Sequence, residues 1–403
     1  MKILFTNTGP WGTGSATVID GVMNDLNQRD HQVCVIFPDS GFKSVDFDKY
    51  YKQPDKFCIL RFPVTYNGEY LYTYPLIIAD PHPRNYRKAW TFKDLTQNQL
   101  ETYMDYFGDF AEKVIADFKP DIIECQHIWI MDYVLEKRGY RYISTAHHSD
   151  QMGFRYDERM RTYAVEAARN ASYIFAISEY VKEEVLDLYP VVPEKVAVIS
   201  NGYDHNLFYP RKVNRTKLLE KFELADYDGL PIITFAGKIS KTKGVDYLLM
   251  ANKIIQKERE VILVIFGAGK IEDVLESDLK DEYELKNTFF MGHQSPEVSS
   301  SFHNIARLSV LPSRTEGFGI AALEAMGCGT PLVASKTGGL GVLIVGALTP
   351  VGDFQEIAKQ ILKILDMNEN DYLHLRKSAY NKAREHSWKK IVEKRLKIYE
   401  TLR

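Results

Sequence analysis

One stretch in the second half of the chain combines a glycine-rich loop with two spaced acids. Residues 311–331 read LPSRTEGFGIAALEAMGCGTP. A strand pattern ends at Pro312 and a helix opens near Gly319, so free backbone amides at the start of that helix would attract an anion. Glu324 lies about two turns further along, where its carboxylate could accept hydrogen bonds from the vicinal hydroxyls of a ribose. A solvated helix residue is the alternative, which the apolar neighbours of Glu324 disfavour.

Glycine-rich loops follow two other predicted strands. Gly9, Gly12 and Gly14 stand between the first strand and a helix, where backbone N–H groups and the helix dipole suit a phosphate or a substrate. Their spacing matches neither the G-x-G-x-x-G fingerprint nor a P-loop. A tight strand-to-helix turn is the alternative, and it is favoured for the loop Gly267–Gly269.

Two adjacent histidines follow a predicted strand of the first half. His147 and His148 lie in the segment Thr145–Ser149. A histidine beside a strand is more often a satisfied structural group than a catalytic one. The residues alone therefore favour a structural interpretation.

Repeated strand–helix–strand patterns must position these residues. A strand at Lys2–Asn7, a helix and a strand at Val33–Phe37 predict a parallel sheet flanked by helices, and the pattern restarts at Ile232–Ala236. We predict an α/β fold of two Rossmann-like doubly wound domains that face each other across a cleft, with ligands at the carboxyl ends of the strands. The predicted parts are a first domain 1–205, a linker 206–217, a second domain 218–386 and a helix 387–403 that packs back on the first domain.

Composition excludes several classes of protein. The 403 residues hold 51 Lys and Arg against 54 Asp and Glu, a net charge of −3, so no overall positive field recruits nucleic acid. The four cysteines are far apart in sequence, which is typical of reduced thiols rather than of a disulfide framework. We find neither a signal-peptide core nor an apolar run approaching the roughly 18 residues of a membrane helix. These features predict a cytoplasmic location.

Taken together, the motifs resemble glycosyltransferase family 4, the retaining nucleotide-sugar glycosyltransferases of the GT-B fold. Glu316 and Glu324 match the Glu-x7-Glu motif of that family around Gly-Phe-Gly, and Lys238 and Lys243 match its Gly-Lys…Lys-Gly signature. The resemblance covers nearly the whole chain. Two further matches are the crossover motif in Ile199–Phe208 and the closing helix in Ser387–Tyr399.

The resemblance implies roles for these residues in binding a nucleotide-sugar donor. Lys238 and Lys243 would neutralise the donor diphosphate without a metal, because cations and helix amides stabilise a leaving group that develops negative charge. Glu324 would hold the ribose. The transferred hexose would be held by Glu316 and by the backbone of Gly317, Phe318 and Gly319. Independently of the resemblance, the place of Gly12 and Gly14 between the first strand and its helix predicts that they also contact the donor.

The resemblance also implies that His147 is a catalytic residue that faces the donor sugar and the acceptor. Glu316 is expected to be the second catalytic residue. It implies front-face attack in which the leaving phosphate takes the acceptor proton, and a covalent intermediate is the open alternative. UDP-glucose or a close relative is the favoured donor. No cofactor is expected beyond this co-substrate, and no metal.

The acceptor is predicted from arginines in the first half. Arg87 lies in an aromatic and basic segment, and Arg155 and Arg159 follow the histidine pair. Guanidinium groups fork onto phosphate or carboxylate, which favours a small, polar, anionic acceptor or a lipid-linked one reached at the inner membrane surface. A solvated loop is the alternative. Two features depart from the family pattern: no acid stands in Thr337–Val342, and the first loop lacks adjacent glycines.

Other functions fit parts of the sequence. A sugar-nucleotide epimerase shares the architecture, but the combined glutamate and lysine motifs disfavour it. A metal-dependent transferase would carry Asp-x-Asp, and the strings Asp46–Asp48 and Asp226–Asp228 follow no clear buried strand. A noncatalytic carbohydrate-binding or nucleotide-binding protein is the third alternative.

Overall fold

The chain folds into two compact units. The computed structural model describes residues 1–9, 11–39, 46–78, 90–275 and 281–403. Unit 1 comprises Met1–Asn201 and Trp388–Arg403, and unit 2 comprises Gly202–Ser387. Each unit has its own sheet.

Unit 1 contains a parallel sheet, a small antiparallel hairpin and flanking helices. The strands in its described residues are β1 (Lys2–Asn7), β2 (Gln32–Asp39), β3 (Phe57–Arg61), β4 (Val64–Tyr66), β5 (Glu69–Leu71), β6 (Ile122–Gln126), β7 (Ile143–Ala146), β8 (Tyr173–Ala176) and β9 (Val196–Val198). The helices are α1 (Gly14–Gln28), α2 (Asp48–Tyr51), α3 (Gln97–Phe118), α4 (Ile130–Lys137), α5 (Ser149–Tyr156), α6 (Arg161–Asn170), α7 (Glu179–Leu188) and, from the end of the chain, α15 (Trp388–Leu402). The parallel sheet has the order β3-β2-β1-β6-β7-β8-β9, and β4 pairs with β5.

Unit 2 repeats the architecture on a second parallel sheet. The strands in its described residues are β10 (Ile232–Ala236), β11 (Ile262–Phe266), β12 (Thr288–Phe290), β13 (Leu308–Leu311), β14 (Leu332–Ser335) and β15 (Gly346–Thr349). Its helices are α8 (Arg215–Lys221), α9 (Val245–Glu258), α10 (Pro296–Ile305), α11 (Ile320–Gly327), α12 (Leu340–Leu343), α13 (Phe354–Leu365) and α14 (Glu369–Ala383). The sheet order is β12-β11-β10-β13-β14-β15, the Rossmann order.

Apolar residues explain why these segments become strands and helices. Every residue of β11 is buried, as expected for a parallel strand covered on both faces. Helix α1 buries Val18, Val22 and Leu26, the face that its sequence pattern predicts. The α/β prediction of two Rossmann-like units is confirmed by these sheets, and the predicted strands agree with the observed ones to within one or two residues.

The sheet order creates one special position in each unit. In unit 1 the order reverses between β1 and β6, and in unit 2 it reverses between β10 and β13. The loops after two such neighbouring strands run in opposite directions, which leaves a crevice at their carboxyl ends. The glycine-rich and histidine-bearing segments singled out above all follow these strands or their neighbours.

The segment 206–217 differs from the linker that we predicted. It belongs to unit 2. The backbone N–H of Arg211 donates to the side chain of Asn304 at 2.8 Å, and its guanidinium donates to Ser300 at 2.9 Å. Helix α8 already begins at Arg215. Polar, turn-rich composition here reflects side chains that bond to α10, not a free connection.

The prediction of location was based on the cysteines and on apolar runs in the sequence. The four cysteines are free thiols, and the Sγ atoms of Cys34 and Cys58, on the paired strands β2 and β3, lie 3.2 Å apart. None of the helices in the described ranges is long and apolar enough to cross a membrane.

Helix α15 is attached to unit 1 by a buried ion pair. Arg395 and Glu124, which lies on β6, are both fully buried and bonded to each other, and the Tyr399 hydroxyl donates to the second carboxylate oxygen of Glu124. At the start of α15 the indole of Trp388 packs over Gly21 of α1, where any side chain would collide with it. The end of the chain is therefore an integral part of the first unit.

We predict that removing one partner of the buried Arg395–Glu124 pair strongly lowers the stability of the protein. Replacing Arg395 by Met would leave the Glu124 carboxylate buried and without its cation, so we expect the free energy of unfolding to fall by about 3–5 kcal/mol. Urea denaturation followed by circular dichroism measures this change.

A matched control removes a partly exposed arginine between the same two helices. Arg29, the residue that follows α1, reaches Glu393 of α15 at 3.3 Å and Asp25 of α1 at 2.6 Å, and all three side chains keep contact with solvent. Arg29→Met should cost no more than about 1 kcal/mol. Equal losses in the two variants would contradict a dominant role for the buried pair.

Candidate active site

The lysine and glutamate motifs of unit 2 converge at the point where its sheet order reverses. Lys238 and Lys243 lie on the loop after β10, and Glu316 lies on the loop after the neighbouring strand β13. Nζ of Lys243 is 2.7 Å from Oε2 of Glu316, and the two side chains are 24% and 17% exposed. Lys238 is half-buried on the same loop as Lys243. The structure thus pairs two residues to which the resemblance assigned separate parts of the donor.

Close backbone contact holds these two loops together. Gly244 has φ 69° and lies so near the carbonyl of Pro312 that a Cβ atom would collide with it. The backbone N–H of Arg314 donates to the carbonyl oxygen of Thr242 at 2.8 Å. Glycine is required at position 244 for both reasons, since it tolerates this φ and has no side chain.

Arg314 has a structural role that the sequence motif did not reveal. Its guanidinium forms two hydrogen bonds to Asp246, at 2.8 and 2.6 Å, and lies 3.9 Å from the ring centroid of Tyr247. Such a bidentate pair fixes orientation as well as charge. Arg314 thereby ties the loop after β13 to the first turn of α9.

Helix α11 begins beside the paired residues without a side-chain cap. Its N-cap is Gly319, with φ 103°, and a Cβ atom there would collide with Leu340. Phe318 is buried, so its ring packs inside the unit and does not present a surface to a ligand. The backbone N–H of Gly339 donates to the carbonyl oxygen of Glu316 at 3.2 Å. The stretch Thr337–Val342, which lacks the acid of the family pattern, therefore supports the loop that carries Glu316 through a backbone hydrogen bond.

Glu324 lies on α11 among buried apolar neighbours. Leu323 and Ala325 on either side of it are fully buried, whereas Glu324 keeps a partly exposed surface. Burial raises the pKa of Glu324 from its ordinary value of 4.5 to about 7. Among the described residues its carboxylate has no hydrogen-bond partner, so its accepting capacity is available to a ligand.

In unit 1, His147 lies at the carboxyl end of β7. Its Nε2 is 2.8 Å from Oε1 of Gln126, the last residue of β6, and its backbone N–H donates to Asp150 at 2.9 Å. Burial, with smaller contributions from His127 and Arg395, lowers the pKa of His147 well below the usual range. The ring is therefore neutral at pH 7.

His127 is a residue of this region that sequence reasoning missed. It follows β6, and its ring centroid is 4.8 Å from that of His147. Its φ of 77° is uncommon for a residue other than glycine, and strained backbone of this kind clusters at functional sites. The buried Nδ1 of His127 has no hydrogen-bond partner in the described parts of the chain. The signal in the sequence that could have pointed to His127 was the presence of two polar residues, Glu124 and Gln126, in the buried strand that precedes it.

The first glycine loop adjoins His127. A Cβ atom on Gly9 would lie 3.3 Å from the His127 ring. Gly12 has φ 87°, and Gly12 and Gly14 are exposed. Helix α1 begins at Gly14 with no side-chain cap on its first amides. The loop therefore approaches His127 at Gly9 and exposes backbone at Gly12 and Gly14, which is the kind of surface that an anion or a sugar contacts.

The predicted acceptor arginines differ in their surroundings. Arg155 is 47% exposed, and its Nη1 is 2.7 Å from Glu184, whose other oxygen is 2.6 Å from Nδ1 of His148. Arg159 donates to the backbone carbonyls of Leu95 and Phe92, which favours a structural role. Arg87 lies outside the described residues.

The described residues contain no group of three or more His, Cys, Asp or Glu that could hold a metal ion. In the second Asp-x-Asp string, Asp228 is paired with Arg215 at 2.8 Å and accepts from Thr216 at 2.6 Å. These contacts give that string a structural explanation.

Two Rossmann-like units, each with an uncapped helix start after a strand end, define a two-domain α/β protein suited to an anionic, nucleotide-like ligand. Comparison with known proteins identifies the family within this broad class of two-domain α/β proteins. The family model "Glycosyltransferase Family 4" matches residues 12–207, and "Glycosyl transferases group 1" matches residues 217–386. The chain belongs to glycosyltransferase family 4, and it is a glycosyltransferase of the GT-B fold.

Individual relatives agree with this assignment. An uncharacterized glycosyltransferase of Methanocaldococcus jannaschii is 28% identical over 337 residues, which cover 77% of this chain and 84% of that protein. A D-inositol 3-phosphate glycosyltransferase of Saccharomonospora viridis is 26% identical over 346 residues, covering 77% and 78%. The structure of Anabaena HepE in complex with UDP-glucose has a TM-score of 0.74 at 18% identity, with 100% of both chains covered, a likeness of fold.

The raised pKa of Glu324 predicts how stability depends on pH. The folded state holds this proton more tightly than the unfolded chain, so the free energy of unfolding falls as the pH rises from about 4.5 to about 7 and stays lowered above that. Glu324→Gln removes this loss. We expect the variant to be more stable than the parent at pH 8, by on the order of 1–3 kcal/mol, and equally stable near pH 4.

Urea denaturation at the two pH values tests this expectation. Glu220→Gln, on an exposed position of α8, makes the same change in charge and should leave stability unchanged at both. A Glu324→Gln variant that is less stable than the parent at pH 8 would show that the carboxylate is held by favourable contacts instead.

Proposed function

We propose that this protein is a retaining glycosyltransferase that transfers a hexosyl group from a nucleoside diphosphate sugar, with UDP-glucose or a close relative as donor. The observation that carries the proposal is the position of the Lys243–Glu316 pair beside the uncapped start of α11. A diphosphate needs a cation and helix amides. A hexose and a ribose need carboxylates that accept hydrogen bonds. HepE, which shares the fold, has been crystallised with UDP-glucose.

The ion pair suggests how the donor enters its site. A diphosphate carries more charge than one carboxylate, so it competes with Glu316 for Lys243. Once Lys243 turns to the phosphate, the Glu316 carboxylate is free to accept hydrogen bonds from hexose hydroxyls. Lys238 and the amides of α11 add to the positive field, and Glu324 accepts from the ribose hydroxyls. The charge of the leaving group is thereby balanced without a metal ion.

In the transfer step, the bond between the anomeric carbon and the diphosphate oxygen breaks. A new bond forms on the same face to the acceptor oxygen, and the acceptor proton passes to the departing phosphate. The neutral ring of His147 can accept a hydrogen bond from a sugar hydroxyl but cannot serve as a cation for the phosphate. Glu316 orients the hexose during the step.

For the acceptor, we propose a small polar molecule that carries a phosphate. Arg155 supports this, since its guanidinium is partly exposed near the histidine segment. The name of the Saccharomonospora viridis relative specifies a phosphorylated polyol acceptor. A lipid-linked acceptor would bring the protein to the inner membrane surface, and we place it in the cytoplasm, where free thiols are kept reduced.

Donor binding is tested by removing one cation. Lys243→Ala should weaken binding of UDP-glucose by about 1.5–3 kcal/mol, because it deletes a charge-assisted contact to the diphosphate. Isothermal titration calorimetry measures the change. Lys257→Ala, on an exposed position near the end of α9, removes the same charge and should bind as the parent does. Unchanged affinity in the Lys243 variant would refute the assignment.

Turnover tests the reaction itself. With UDP-glucose and inositol 3-phosphate we expect a glycoside of α configuration, read from the anomeric coupling in proton NMR, and we expect its rate to survive excess EDTA. Unphosphorylated inositol should react more slowly. A β-linked product would contradict retention, whereas a rate lost on chelation and restored by Mg²⁺ would contradict metal independence.

A further inference from the structure

A chain of buried polar groups connects the last helix to His147. It runs from Arg395 and Tyr399 on α15 through Glu124 and Gln126 on β6 to the His147 ring. Glu124, Gln126 and Arg395 are fully buried. All of these residues belong to unit 1.

Glu124 is the charged centre of this network. Arg395 forms an ion pair with it, and the pKa of Arg395 is raised because Glu124 and Tyr399 outweigh the opposing effect of burial. A carboxylate paired with a cation only accepts hydrogen bonds. The Tyr399 hydroxyl donates to one oxygen, and the Thr145 hydroxyl donates to the other at 2.8 Å.

The charge of Glu124 dictates the orientation of the neighbouring amide. Nε2 of Gln126 donates to Oε1 of Glu124 at 2.8 Å. The reverse orientation would place the amide oxygen against a carboxylate oxygen, which is repulsive. The amide oxygen of Gln126 must therefore face Nε2 of His147, 2.8 Å away.

An amide oxygen accepts a hydrogen bond and cannot donate one, so Nε2 of His147 must carry the proton. Burial keeps the ring neutral, since it lowers the pKa of His147 well below the usual range. Nδ1 is then unprotonated, and it has no hydrogen-bond partner among the described residues. The assignment follows from the network and not from a visible hydrogen.

We propose that Gln126 is a positioning residue that holds His147 as the Nε2–H tautomer, with Nδ1 left as a hydrogen-bond acceptor for a hydroxyl group of a bound sugar. Glu124, held by its buried ion pair with Arg395, sets the orientation of Gln126. The last helix of the chain thereby determines the proton arrangement of a histidine at the carboxyl edge of the sheet. The proposal rests on the proposed function only for the identity of what Nδ1 contacts.

NMR spectroscopy of the whole protein, labelled with ¹⁵N in its histidines, tests the tautomer without any substrate. The His147 signals are identified by their loss in His147→Gln. In the parent protein at pH 7 we expect an Nε2-bound proton that exchanges slowly with water and an unprotonated Nδ1. A parent protein whose His147 carries its proton on Nδ1, or is doubly protonated, would overturn the proposal whatever the Gln126 variant shows.

The variant Gln126→Met retains the size of the side chain and removes its acceptor. We expect the Nε2-bound proton of His147 to exchange at least about tenfold faster in this variant. Tyr399→Phe is the matched control, since it removes one other hydrogen bond to Glu124 and leaves Arg395 and Gln126 in place. Slow exchange should persist in it. Unchanged protection in Gln126→Met, or equal loss in both variants, would overturn the specific role of Gln126.

Kinetics separate this proposal from the proposed function. If His147 contacts the sugar, Gln126→Met should lower kcat about tenfold for transfer from UDP-glucose, and His147→Gln should lower it at least as much. If His147→Gln retains full activity while the NMR results are as expected, the tautomer assignment stands and the role of His147 in transfer is wrong. If the NMR results fail, the positioning role of Gln126 is wrong whatever the activity.

Discussion

Parallel strands place all their carboxyl ends at one edge of a sheet, and the candidate site depends on this constraint. In each unit the order reverses beside the first strand, at β1 and β6 or at β10 and β13. Loops that are far apart in sequence therefore begin side by side at this edge, wherever their strands are neighbours. Lys243 and Glu316, 73 positions apart, form an ion pair for this reason, and Gln126 reaches His147 across the next pair of strands.

Two ion pairs of the protein differ in their roles, and the difference follows from how deeply each pair is buried. Arg395 and Glu124 are removed from solvent, so separating them would leave an uncompensated charge and the pair is permanent. Lys243 and Glu316 are partly exposed, and an incoming anion can displace the carboxylate at modest cost. The first pair holds the architecture and the second is suited to exchange partners with a ligand.

Desolvation also shifts the pKa values of two further candidate site residues, Glu324 and His147. It raises the pKa of Glu324 to about 7 and lowers that of His147. In both cases burial shifts the protonation equilibrium toward the neutral form. Under the proposed function, a sugar nucleotide would offer its hydroxyl groups to these two side chains and its charge to the lysines.

The sequence by itself was sufficient for the architecture and the family. Buried strands appear as continuous apolar runs, α1 shows its buried face at helical spacing, and the Glu-x7-Glu and Gly-Lys…Lys-Gly motifs are local in sequence, so neither depends on long-range contacts. Only the tertiary structure revealed that Lys243 is paired with Glu316, that Arg159 is engaged by backbone carbonyls, and that 206–217 is packed against α10. Only it connected Arg395 with Glu124, Gln126 and His147. The physical reason is that apolar periodicity is encoded within a short window, whereas the partner of a charged or polar side chain is selected by which strands and helices become neighbours.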